Sequence, residues 1–195
     1  MRLRLGDQKI IEIDGPADIT KETTDAIVNA ANSSLLGGGG VDGAIHHAGG
    51  PAILEECRKI VSHIRKLPEG QAVITSGGRL STKYVIHTVG PVYCGGGPSE
   101  AEALASCHRE SIRLADEREL RSLSFPAIST GAFGYPPHEA APIAISSTIM
   151  ALKAATNVVL CRFVLFNAAM REKFERAAEK LSRTDSSFQI EKANS

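Results

Sequence analysis

Residues 29–47 read Asn-Ala-Ala-Asn-Ser-Ser-Leu-Leu-Gly-Gly-Gly-Gly-Val-Asp-Gly-Ala-Ile-His-His, with four consecutive glycines, Gly37 to Gly40, at the centre. Glycine loses more backbone freedom on folding than any other residue, roughly 0.5–1 kcal/mol relative to alanine in regular structure. A run of four makes sense only where the backbone takes positive φ or comes very close to something else. A strand-like apolar segment precedes the run and an apolar-periodic segment that starts a helix follows it. The loop's free N–H groups then lie near the positive end of a helix dipole, an arrangement that suits a phosphate. Asn29 and Asn32 upstream and Asp42 inside the loop are the polar groups such a cradle would hold against its ligand. The stretch reads as an anion-binding loop with one acid in it.

The same logic extends along the chain. Strand-like runs occupy Lys9–Ile13, Ala26–Ala30, Ala72–Thr75, Tyr84–Val89, Leu123–Ala127 and Val158–Phe166. Helical patterns lie between them at Val41–Ala48, Pro51–Ile64, Ser99–Asp116, Pro137–Ala154 and Ala168–Leu181. Ser99 is the expected N-cap of its helix, with Glu102 at the capping-box spacing. Alternating strands and helices predict an α/β fold, a three-layer α/β/α sandwich around a mixed, largely parallel central sheet. Residues 1–181 make one domain, and the polar, aperiodic stretch 182–195 is expected to fray. In such sheets ligands bind beyond the carboxyl ends of strands. The glycine-bearing loops at 37–43 and 131–134 both have that placement and fit opposite lips of one cleft.

Bulk properties narrow the partners. Lys and Arg number 22 and Asp and Glu 22, so the formal net charge is zero and no electrostatic footprint for nucleic acid or an anionic membrane exists. An anionic ligand must be held by local geometry. Cys57, Cys94, Cys107 and Cys161 form no C-x-x-C pair and read as buried free thiols in a reducing compartment. The N-terminus lacks an uninterrupted apolar h-region, and the longest apolar stretch, from Ala141 to Leu160, is too polar to span a bilayer. A cytoplasmic monomer is expected.

Several chemistries can be weighed directly. Gly38-Gly-Gly40-Val-Asp-Gly43 matches G-x-G-x-x-G, but it follows its strand too late, and no acid closes a second strand about twenty residues on. No P-loop motif and no G-x-S-x-G elbow is present, and no cysteine has an evident activating neighbour. His46 and His47 lack metal-ligand spacing, so neither a metal nor a cofactor is expected. Asp18 is locally an Asx turn or helix cap. Ile128-Ser-Thr-Gly-Ala-Phe-Gly-Tyr-Pro136 is by itself an ordinary strand-to-helix turn; beside the tetraglycine loop it becomes the candidate second half of a diphosphate clamp.

Taken together, Asp18-Ile-Thr20, Asp25-Ala-Ile-Val-Asn-Ala-Ala-Asn32, Gly37-Gly-Gly-Gly-Val-Asp-Gly-Ala-Ile-His46, Tyr84-Val-Ile-His-Thr-Val-Gly-Pro91 and Ile128–Pro136 resemble a macrodomain, more narrowly a MacroD-type hydrolase. The resemblance runs from about residue 8 to about residue 181. Ala17 departs from it where glycine is usual, and His47 where arginine is usual. The resemblance implies an ADP-ribose cleft in which Asp18, with the Ile19 backbone, meets the adenine amino group and Phe166 flanks the ring. It implies that Gly38, Gly39, Gly40, Val41 and Gly43, with Ser129, Thr130, Gly131, Ala132, Phe133, Gly134 and Tyr135, enclose the diphosphate. Asn32 and Asp42 would face the distal ribose as the catalytic pair, with Asn29 close by and structural in role.

The implied activity is removal of mono-ADP-ribose from glutamate and aspartate side chains and deacetylation of O-acetyl-ADP-ribose, without a metal. A water oriented by Asp42 and a substrate phosphate oxygen would do the work. The implied partners are ADP-ribose, its esters and mono-ADP-ribosylated proteins. Two readings compete with this one: a non-catalytic ADP-ribose reader, which typically lacks the loop acid, and a Rossmann-type dinucleotide enzyme.

Overall fold

The computed structural model describes residues 1–191; the end of the expected frayed tail, 192–195, lies outside the described residues. Eight strands form one sheet: β1 (Arg2–Leu5), β2 (Lys9–Asp14), β3 (Ala26–Ala31), β4 (Ala72–Ser76), β5 (Tyr84–Val89), β6 (Ser122–Phe125), β7 (Leu160–Val164) and β8 (Gln189–Glu191). They lie in the order β4-β5-β3-β6-β7-β2-β1-β8. The run β5-β3-β6-β7-β2 is parallel, while β4, β1 and β8 pair antiparallel at the two margins. This is the mixed, largely parallel sheet expected from the alternation of elements.

Five helices cover the sheet among the described residues. Helices α1 (Gly40–Gly49) and α2 (Pro51–Ile64) lie on one face, and α3 (Pro98–Glu117), α4 (Pro137–Ala154) and α5 (Ala168–Leu181) on the other. No helix among the described residues is long and apolar enough to cross a membrane. The two cores follow the period-2 alternation of the strands. In β3, Ala26 and Val28 join the core under α3–α5, whereas Ile27 and Ala31 join the core under α1 and α2. Odd-numbered positions of β3 and β5 therefore share the α1/α2 face, and Asn29 and His87 fall among them.

Several local expectations are corrected: β1 was not one of the expected strands, and Cys94 is exposed where a buried thiol is expected. Helix α3 starts at Pro98 with Gly97 as its cap, not at Ser99, because proline suits the first helical position, where no N–H is needed. Glu100 rather than Glu102 then serves the start, accepting from the N–H groups of Cys94 at 3.0 Å and Gly96 at 3.1 Å. Strand β6 ends at Phe125 instead of Ala127, since Pro126 has no N–H for a ladder. The tail does not simply fray: β8 pairs with β1 in the register Arg2↔Glu191, Leu3↔Ile190, and Phe188 is buried in the larger core. Arg4 and Glu191 close the pair at 2.5 Å. The charges around it mask this strand in the sequence, while the open edge of β1 supplies backbone partners.

At the centre of the larger core, His108 is fully buried against Phe125, with ring centroids 5.1 Å apart, and its Nδ1 faces the Leu104 carbonyl at 2.9 Å. Burial pushes its imidazole down to about 4. The unfolded chain binds this proton near the ordinary histidine value of about 6.5, so the contribution is complete above that pH and is lost as pH falls towards 4. Replacing His108 with Phe should make the fall in stability between about pH 5.5 and 4.5 shallower by roughly 1.4 kcal/mol per pH unit, read from urea melts. An unchanged slope would mean that His108 protonates in the folded protein. Phe188→Ala should cost roughly 3 kcal/mol in the same assay at neutral pH if the tail docks as described; no loss would show an undocked tail.

Candidate functional site

Strands β3 and β6 run parallel but share ladder positions only at Ala26↔Leu123 and Ile27↔Ser124. Beyond those pairs they part, and their outgoing chains go to opposite faces, β3 to α1 and β6 to α4. Such a reversal of direction leaves a crevice at the carboxyl ends of the strands. Here the crevice is a cleft of about 820 Å³. Its floor is made of small residues at the strand ends, Ala30, Ala31, Pro126 and Ala127.

One lip is the glycine loop. Asn32 anchors it: its Oδ1 accepts from the Ser34 N–H at 3.0 Å and hydroxyl at 2.5 Å, and its Nδ2 donates to the Gly37 carbonyl at 2.9 Å. Gly39 is the N-cap of α1 and provides no side-chain cap, so the first N–H groups of the helix, on residues that line the cleft, lack a side-chain acceptor. Gly40 has φ +61°, a conformation that disfavours any side chain. Gly43 is required by packing instead, because a Cβ there would stand 2.5 Å from the Gly38 carbonyl oxygen.

The second lip, Ser129–Tyr135, is closed by its own hydrogen bonds, Thr130 N–H to the Ala127 carbonyl at 3.3 Å and Tyr135 N–H to that of Ser129 at 3.0 Å. The N–H groups of Gly131, Ala132 and Phe133 have no protein acceptor among the described residues. Ser129 sits at φ +64° with its buried hydroxyl unpartnered. A strained residue with an unsatisfied polar atom on a cleft wall is a feature expected where a ligand completes the site.

Asp42 lies in the first turn of α1, only 4% exposed, where the helix dipole favours a carboxylate. Its Oδ1 accepts from Asn29 Nδ2 at 2.6 Å, and its Oδ2 has no partner among the described residues. A Cβ on Gly38 would stand 3.0 Å from that Oδ2 and 3.3 Å from Asn32 Nδ2, so the free oxygen lies beside the glycine loop and Asn32. At the far end, Asp18 caps a 3-10 turn at Ile19–Lys21, accepting from the Thr20 hydroxyl at 2.8 Å and its N–H at 2.9 Å. Those bonds hold its carboxyl below the usual range. Both use Oδ1, so the cap that the local sequence predicts coexists with a position on the cleft wall. Phe166 projects there too, 85% exposed.

Of the residues singled out by sequence, Asp18, Ile19, Asn32, Gly38, Gly39, Gly40, Val41, Asp42, Ser129, Thr130, Gly131, Ala132, Phe133 and Phe166 line the cleft. Four do not. Asn29 is fully buried behind Asp42, Gly43 packs beneath Gly38, Gly134 ties the second lip to Gly131, and Tyr135 is buried edge-on to Tyr93. Ala17, Ala44, Gly90, Val164, Asn167 and Met170 line the cleft without having been singled out. Small residues at the ends of predicted strands and the neighbours of Phe166 were the available signal.

Histidines 46 and 87 and Cys57 bring potential ligand atoms within 4.8 Å of one another behind Asp42. Metal capture there would have to displace the 2.9 Å contact of His87 Nε2 with Thr75 Oγ1. It would also have to deprotonate a Cys57 thiol that burial, with the charges of Asp42 and Glu56, pushes up to about 12.

Fold and site together define an α/β/α domain with an open cleft at the topological switch point of its sheet, walled by two loops of exposed backbone amides. A family model described as Macro domain matches residues 28–144, and the chain belongs to the macrodomain family. A Macro domain-containing protein of Streptomyces coelicolor is 55% identical over 159 residues, covering 80% of this chain and 92% of the relative. One from Methanosarcina mazei is 46% identical over 181 residues, covering 93% and 94%. Among solved structures, the Oceanobacillus iheyensis macrodomain with ADP is similar at a TM-score of 0.88 and 41% identity, covering 95% of this chain and 97% of that one. A Trypanosoma brucei macrodomain in complex with ADP-ribose is similar at 0.76 and 37%, covering 88% and 69%.

The packing beneath the glycine loop yields a direct test. Gly43→Ala should destabilise the protein by about 1–3 kcal/mol in urea denaturation, since the methyl group meets backbone that has little room to yield. A neutral result would mean that the loop is loosely seated on α1.

Proposed function

We propose that the cleft binds ADP-ribose and that the protein hydrolyses the ester joining ADP-ribose to glutamate or aspartate side chains, and likewise O-acetyl-ADP-ribose. The observation that carries this reading is Asp42: a buried carboxylate with one oxygen fixed and the other unpartnered beside the glycine loop. A module that only binds has no need of such an acid. The ADP and ADP-ribose complexes of similar macrodomains support the choice of ligand.

In this reading the adenine lies between Asp18 and Phe166, and the diphosphate between the open amides of the two loops. The distal ribose reaches Asn32, whose second Nδ2 hydrogen is left to hold a ribose hydroxyl. A water between Asp42 Oδ2 and a phosphate oxygen attacks the ester; Asp42 takes one of its protons, an ester C–O bond breaks to release ADP-ribose and the free carboxylate, and Asp42 then returns the proton to solvent. General-base assistance of this kind is worth about 10²–10⁴-fold. The reaction as proposed requires no metal.

Release of ADP-ribose from a protein modified on glutamate, followed over time, tests the proposal. Asp42→Ala should lower kcat by about 10²–10⁴-fold while leaving the Kd for ADP-ribose, measured by calorimetry, within about threefold. Loss of binding in the variant would show that Asp42 holds the ligand instead. No release by the wild type at stoichiometric enzyme, on either ester, would leave a binding module.

A further inference from the structure

Behind Asp42 lies a run of buried polar side chains that the proposed chemistry does not touch. Register assembles it: β3 and β5 pair Asn29 with His87, and β4 pairs Val73 with His87, which puts Thr75 two residues further along the same face of β4. Asn29 and His87 are completely buried and Thr75 is 2% exposed. Asn29 Nδ2 lies 2.6 Å from Asp42 Oδ1 and 3.1 Å from His87 Nδ1, and His87 Nε2 lies 2.9 Å from Thr75 Oγ1.

Donor and acceptor rules give this chain one direction. The Asn29 amide must present nitrogen to Asp42, because the opposite placement would set an amide oxygen 2.6 Å from a carboxylate oxygen. Its two N–H groups then point at Asp42 and at His87 Nδ1, so Nδ1 must be bare. Burial holds the His87 imidazole down to about 3, so the ring is neutral and its single proton sits on Nε2. That proton is donated to Thr75 Oγ1, which can accept because its own hydrogen goes to the Ser76 carbonyl at 3.1 Å. His46 stands on the remaining side, its Nε2 3.5 Å from Asp42 Oδ1, with neither ring nitrogen hydrogen-bonded among the described residues.

Resting on the hydrolase reading, we infer that His87, in its Nε2–H tautomer, is a positioning residue that orients the Asn29 amide, which in turn holds Asp42 Oδ1 and reserves Oδ2 for the reacting water. The chain moves no proton. It fixes a rotamer, so its loss affects the chemical step and leaves the ligand's contacts with the two loops intact. Misplacing a catalytic group by about 1 Å can cost 10²-fold in rate.

Two measurements test the inference. In a two-bond nitrogen–proton correlation spectrum of the wild type, His87 should show an unprotonated Nδ1 and a protonated Nε2. A protonated Nδ1 overturns the chain whatever the enzyme does. In kinetics on the glutamate-linked substrate, His87→Leu should lower kcat by about 10- to 100-fold with KM and the Kd for ADP-ribose within about threefold. His87→Gln, whose amide can accept from Asn29 and donate to Thr75, should recover most of the rate. Thr75→Val, which removes only the last acceptor, should show a smaller loss and serves as the probe if His87→Leu fails to fold. Full kcat in a folded His87→Leu, or in Thr75→Val where that is the probe, overturns the positioning role. A wild type without turnover overturns the hydrolase reading and this role with it, and the tautomer then reports only on the packing.

Discussion

The parting of β3 and β6 is the constraint from which the site follows. Two parallel neighbours share only two ladder positions and then send their chains to opposite faces of the sheet. Backbone that leaves a sheet in this way must satisfy its N–H groups elsewhere or present them to something outside. Both loops present them. Among the described residues the cleft walls hold no lysine or arginine, so an anion in this cleft would be held by amides and a helix end, in keeping with a chain of zero net charge.

Asp42 has to remain in place within that amide-rich wall. It takes part of its stabilisation from the first turn of α1 and part from Asn29, a residue on a different element. An acid held by one oxygen and unpartnered at the other has a defined direction, which a solvated carboxylate on a mobile loop lacks. The neutral histidine behind it suits the same arrangement: a charged ring there could only repel the Asn29 donor. Cys57, 3.8 Å from His87 and pushed up to about 12, closes this pocket as an inert thiol.

Much of this was legible in the chain. The glycine run between an apolar strand and a helical pattern located the first lip, and the Gly-Ala-Phe-Gly turn located the second. The cap geometry of Asp18 was readable from Asp-Ile-Thr alone, although its presence on the cleft wall was not. Asn29 beside His87 was beyond local reading, because 58 residues separate them and only sheet register joins them. His87 carries no local signal of this contact for the same reason. Strand β1 was missed although its four residues alternate Arg-Leu-Arg-Leu, and β8, three residues long among charges, exists through β1's open edge. The start of α3 was misplaced because proline's fitness for a first turn outweighed a plausible serine cap.

The most direct test of the account is a titration of the nitrogen-labelled protein with ADP-ribose, following backbone amides. The account predicts that the amides of Gly38–Val41 and of Gly131–Phe133 shift together and saturate at one ligand per chain. Those of β8 and the far ends of the helices should stay still. Shifts confined to one loop, or centred away from the parting of β3 and β6, would contradict it.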